Sequence, residues 1–114
     1  MMSRSSQAAR ALPSPRLRSL ARLGQDVAVA RKRRGMSQRL MAERMLVSLP
    51  TLQRLEAGDP TIGLAVLASA LFVLGLAGRF EQLADPANDA FGLSRDIDRL
   101  PKAVRPTARP ELDF

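Results

Sequence analysis

The stretch SQRLMAERMLVSLPTLQRLEAG, Ser37 to Gly58, reads as two short helices joined by a tight turn. Ser37 is a good N-cap, and the run behind it sets Met41, Ala42 and Met45 on one side at helical spacing. Leu46 and Val47 interrupt that helix. Ser48 then offers a second N-cap, and Pro50 falls in the next first turn, where a missing N–H does no harm. Leu52 and Leu55 are three apart and face inward, which leaves Thr51, Gln53 and Arg54 pointing elsewhere, and Ala57-Gly58 supplies the stop.

Working outward on the N-terminal side, Leu20, Leu23, Val27 and Ala30 recur at steps of three and four while Arg22, Gln25, Lys32 and Arg33 lie off that line. The spacing predicts a helix of about four turns from Arg16, ended by Gly35 behind the cations Arg31 to Arg34. Residues 1–15, MMSRSSQAARALPSP, show no periodicity and read as a disordered basic arm.

On the C-terminal side, Asp59-Pro60-Thr61 is a turn signal, with Asp59 or Thr61 expected to cap the helix that follows. Gly63 to Leu74 is apolar nearly all round, as expected of the helix most enclosed by the others. A short fifth helix is expected over Arg79–Ala84 with Phe80 and Leu83 inward. Residues 16–84 are thus expected to form an all-α, five-helix bundle. Residues 85–114 are broken by Pro86, Pro101, Pro106 and Pro110 and read as a mostly extended tail, with one helical turn around Ser94–Leu100 capped by Ser94. Phe91, Leu93, Ile97, Leu100 and Val104 are apolar enough to dock, either back on the same subunit or its twin, or on a different partner.

Composition narrows the function. The chain has 114 residues, a formal charge of +7, no Cys and no His. Disulfides, thiolate or His-ligated metal sites and nucleophile–His pairs are therefore excluded, and the scattered acids suggest no acid/base pair; no metal site, cofactor or enzyme activity is expected. Residues 1–34 hold nine bases against one acid, Asp26, so a polyanion would be attracted there. Pro60 to Gly78 carries no charge, yet Pro60, Gly63, Ser69 and Gly75 dilute it, and a buried helix accounts for it better than a membrane span. The basic N-terminus lacks the apolar run of a signal peptide, which points to the cytoplasm.

In a helix–turn–helix, the first helix and the turn fix the angle at which the second enters the major groove of DNA. The pattern resembles the Xre family of bacterial and phage repressors, whose fold is a lambda-repressor-like bundle of five helices with the motif at helices two and three. The pieces carrying the resemblance are LGQDVAVAR (Leu23–Arg31), SQRLMAERM (Ser37–Met45), TLQRLEAG (Thr51–Gly58) and VLASAL (Val66–Leu71). It implies that Gln38 grips a phosphate at the start of helix two. It also places DNA-binding positions on Ser48, Leu49, Pro50 and Thr51 at the front of helix three, with Gln53 and Arg54 further along. Arg54 is the first choice for bidentate readout of guanine; Gln53 could pair with adenine or hold the backbone. Leu49 and Pro50 offer at most an apolar contact to a thymine methyl. Arg31 and Glu56 fall where the family has an ion pair between helices one and three. Many relatives have Gly where this chain has Leu46, and a non-Gly residue at positive φ costs roughly 1–3 kcal/mol, so either the turn avoids that conformation or packing of Leu46 offsets it.

The resemblance further implies a homodimer on a palindromic operator, bound more weakly as salt rises, with the uncharged fourth helix and Phe80–Leu83 as interface donors. Within the family, the run from Arg39 to Leu76 and the elements LADP (Leu83–Pro86) and RLPKAVRP (Arg99–Pro106) look like the HipB-type group. These are antitoxins that bind HipA-like serine/threonine kinase toxins and repress their own operon. Phe91, Leu93, Ile97 and Leu100 are then candidate toxin anchors, although LPKAVR stands where a typical relative reads LPKRVR. The alternatives are a stand-alone Xre regulator without a toxin, or an interaction module that no longer binds DNA.

Overall fold

The computed structural model describes residues 4–101. Residues 1–3 of the expected arm and 102–114 of the expected tail, with Val104 and much of the RLPKAVRP run, lie outside the described residues. Among those described, seven α-helices and one short 3-10 turn form an all-helical chain without a strand. The helices are α1 (Arg4–Ala11), α2 (Ser14–Arg33), α3 (Gln38–Met45), α4 (Leu49–Glu56), α5 (Leu64–Val73), α6 (Ala77–Phe80) and α7 (Ala90–Arg99), with the 3-10 turn at Pro86–Asn88. Contacts divide the chain after Phe80 into two units.

In the first unit the core is small, aliphatic and rich in methionine. Val27 from α2, Met41, Ala42 and Met45 from α3, Leu52 and Leu55 from α4, and Ala70 from α5 close around one another, joined by Met36 and Leu74 from the helix ends. Met41 and Leu52 are wholly buried. Unbranched methionine fills the irregular gaps that aromatic rings would otherwise occupy. Helix α2 crosses the end of α4 at two glycines. A methyl group at Gly24 would lie 2.5 Å from the carbonyl oxygen of Glu56, and one at Gly58 would lie 2.5 Å from the Cα of Ala21. Backbone therefore rests on backbone at that crossing.

Several expectations need correction. The count of five helices becomes seven, partly because the supposed disordered arm contains α1: its Ser, Gln, Ala and Arg residues are compatible with a helix, and the first break comes only at Pro13, which is extended (φ −68°, ψ 155°) and N-caps α2. Helix α2 begins two residues earlier than expected, at Ser14, with proline in its first turn. Helix α5 is not the most enclosed: of its residues only Ala70 is buried, and Leu64 and Phe72 are about three-quarters exposed. Its N-cap is Gly63, without a side-chain hydrogen bond, because Asp59 and Thr61 are engaged elsewhere. The fifth helix of the expectation shrinks to the single turn α6, and Leu83, expected inward, is exposed.

In the second unit the helical turn expected from Ser94 is a helix of ten residues. Asp89, not Ser94, caps it, its side chain accepting from the Gly92 amide. Asp85 does the same for the 3-10 turn through Ala87. Two acidic caps in succession explain how a segment framed by prolines still forms regular structure.

Candidate nucleic-acid interface

Helices α3 and α4 are set by local chemistry. The hydroxyl of Ser37 accepts from the Leu40 amide at 3.0 Å, and that of Ser48 accepts from the Thr51 amide at 3.2 Å. Ser48 also pairs with the Thr51 hydroxyl at 2.8 Å. Between the helices, Leu46 is left-handed (φ 60°, ψ 39°), its amide donating to Glu43 and that of Val47 to Ala42. The same closure ends α2 at Gly35, α4 at Gly58 and α5 at Gly75. Leucine thus stands alone, among the described residues, in a backbone conformation that glycine supplies at the other three ends. Its side chain is 91% exposed, so packing within this chain does not offset the strain.

Arg31 and Glu56 join α2 to the last turn of α4. Arg31 donates from Nε to Glu56 Oε2 at 2.7 Å and from Nη2 to Oε1 at 3.1 Å. Its Nη1 donates to the Met36 carbonyl at 2.9 Å, and both side chains of the pair are more than nine-tenths buried. A planar guanidinium satisfied on three nitrogens is a rigid strut.

Gln38 sits at the first position of α3. Its Nε2 donates to Glu56 Oε1 at 2.9 Å, and its Oε1 accepts from Gln53 Nε2 at 3.3 Å. The side chain expected on a phosphate is therefore a link between the buried ion pair and the surface of α4.

Along α4, Leu49 and Thr51 are half-buried, while Pro50, Gln53 and Arg54 are exposed. Arg54 is held from behind: Nε donates to Asp59 Oδ2 at 2.8 Å and Nη2 to the Thr61 hydroxyl at 2.8 Å. Asp59 in turn accepts from the amide and the hydroxyl of Thr61. These bonds, led by the Thr61 hydroxyl and followed by Arg54, draw the Asp59 carboxyl from 3.8 down to about 2 against a small opposing effect of burial. Sequence reasoning missed Asp59 and Thr61 as holders of Arg54; the D-P-T turn was their signal, read only as a turn with a cap for the next helix. In the second unit, Phe91, Leu93, Ile97 and Leu100 are all exposed, and Arg95 lies over the Phe91 ring at 5.7 Å.

No helix among the described residues is long and apolar enough to cross a membrane. No curated protein and no solved structure matches the chain. A family model described as Helix-turn-helix matches residues 27–76, a little under half of the chain, from the middle of α2 to just past α5. That match, over the segment that holds α3, the Leu46 turn and α4, points to a DNA-binding transcriptional regulator.

Proposed function

We propose that this protein is a sequence-specific repressor that inserts the exposed edge of α4 into the major groove of its operator. The observation that carries the proposal is the presentation of Arg54. Nε and Nη2 fasten one edge of the guanidinium to the loop, which leaves Nη1 and an N–H of Nη2 on the other edge, the pair of donors that matches guanine O6 and N7. The side chain is half exposed, so it is held and yet accessible. Leu49, Pro50, Thr51 and Gln53 belong to the same short helix, Ser48 caps it, and Gln38 from α3 holds Gln53.

One such module binds weakly, so the reading includes a homodimer on a palindrome. Helix α5 supports this: it carries no charge in a chain of net charge +7, and Leu64 and Phe72 face outward on it. The finer reading, a HipB-like antitoxin that captures a HipA-like kinase and represses its own operon, rests on the resemblance and on the exposed apolar residues of α7. Arg54→Ala tests the central statement. Gel shifts with specific and scrambled duplexes should show discrimination lost and the dimer kept; equal discrimination before and after the change refutes the assignment.

A further inference from the structure

Between the buried ion pair and the exposed side of α4 runs a chain of polar groups whose direction is fixed by charge. Arg31 can only donate, and the Glu56 carboxylate facing it can only accept. Gln38 must therefore turn its Nε2 toward Glu56, as the 2.9 Å contact shows, and its Oε1 toward Gln53. Gln53 in turn must donate an Nε2 hydrogen to that oxygen. An exposed glutamine amide ordinarily has two orientations of similar energy. Here one is selected, and what Gln53 presents to its surroundings is one N–H and one carbonyl oxygen.

We propose that Gln53 reads the purine of one base pair, and that Glu56, acting through Gln38, sets the polarity of the Gln53 amide so that the site takes adenine and refuses guanine. The inference rests on the DNA-binding reading above and deepens it. In the major groove adenine offers N7 as acceptor and N6 as donor, which complements one N–H and one carbonyl oxygen. Guanine offers two acceptors, N7 and O6. With the amide held in its observed sense, the carbonyl oxygen of Gln53 faces O6 of guanine and repels it. Released from Gln38, the amide can turn and give both Nε2 hydrogens to guanine. Gln38 is thus a positioning residue, and the discrimination between purines is set two side chains away from the base.

The test uses the full chain and a pool of randomised duplexes, sequenced after selection by binding. The wild type is expected to enrich adenine over guanine at one position, and Gln53→Met, an exposed change, to erase that preference and so locate the position. Gln38→Met, with the Arg31–Glu56 pair intact, is expected to lower the adenine-to-guanine ratio there by about fivefold or more, since a bidentate base contact discriminates by at least that factor. Gln38→Asn, an amide one methylene too short to bridge, should do the same, and it supplies the readout if Gln38→Met does not fold by circular dichroism. The proposal is overturned if the folded Gln38 variant keeps the wild-type ratio at that position, or if Gln53→Met alters no position. A wild type that enriches no sequence overturns the DNA-binding reading itself, and this inference with it.

Discussion

Arg31 and Glu56, twenty-five positions apart in the chain, meet through two hydrogen bonds of 2.7 and 3.1 Å with almost no exposure to solvent. Helix α4 is thereby tied at its last turn to α2, the longest helix among the described residues. Removing one partner leaves the other buried and uncompensated, so Arg31→Met or Glu56→Leu should each destabilise the domain by about 3–5 kcal/mol. The double variant should lose clearly less than the sum of the two. Urea unfolding of the three variants measures this, and additive losses would show that the pair is not coupled.

Gly24 lies inside a helix, where alanine ordinarily stabilises by about 1 kcal/mol. Here the added methyl would press on the carbonyl oxygens of Glu56 and Leu55. Gly24→Ala should therefore destabilise, by roughly 1–3 kcal/mol, because backbone cannot step aside as a side chain can. A rise in melting temperature would contradict the close crossing of α2 and α4.

Leu46 should behave in the opposite way. Its backbone is left-handed and its side chain is exposed, so Leu46→Gly relieves strain and gives up almost no burial. The expected gain is about 1 kcal/mol in thermal unfolding, the usual strain being partly cancelled by the greater freedom of glycine in the unfolded chain. A loss of stability would mean that the leucine side chain is covered in solution, for instance by a second copy.

Asp59 gives a pH dependence. Its folded value, about 2, lies below the ordinary 3.8, so its bonds to Thr61 and Arg54 contribute fully above the ordinary value and fade as pH falls toward the folded one. Asp59→Asn should be less stable than the wild type near neutrality, and the gap should close on acidification toward pH 2. A gap that stays constant with pH would show that the carboxylate charge contributes nothing. The same variant should weaken specific operator binding, because Arg54 loses its anchor.

Deletion of residues 87–114 should weaken capture of a kinase partner more than operator binding, since α7 with its apolar side chains Leu93 and Ile97, and Leu100 just beyond it, are removed. Pull-down and gel shift on the same preparation compare the two. Undiminished capture removes the tail from the proposal.

What the sequence made legible was local. The caps Ser37 and Ser48 and the inward positions Met41, Ala42, Met45, Leu52 and Leu55 follow from hydroxyl chemistry and the helical period, and the structure has them as read. The ion pair was placed through resemblance, not by period, since nothing in the spacing of Arg31 and Glu56 brings them together. The links Gln53–Gln38 and Arg54–Asp59–Thr61 were illegible because they depend on where α3 and the loop after α4 come to rest. Apolar character all round misled the reading of α5: hydrophobicity says that a face can be buried, and only the neighbours decide whether it is. For α1, a short Ser-, Ala- and Arg-rich composition ahead of two prolines read as disorder and hid a segment able to form a helix.

An arginine that clasps a loop with one edge and turns the other outward performs two tasks that lysine cannot combine. An ammonium carries the same charge, but its hydrogens radiate from a single point on a flexible stem, and it would release Asp59 and Thr61 whenever it swung toward a duplex. Under the proposed readout, position 54 is therefore dictated twice, by mechanics and by chemistry. A lysine there, conservative by charge, would uncouple the end of α4 from the loop leading into α5.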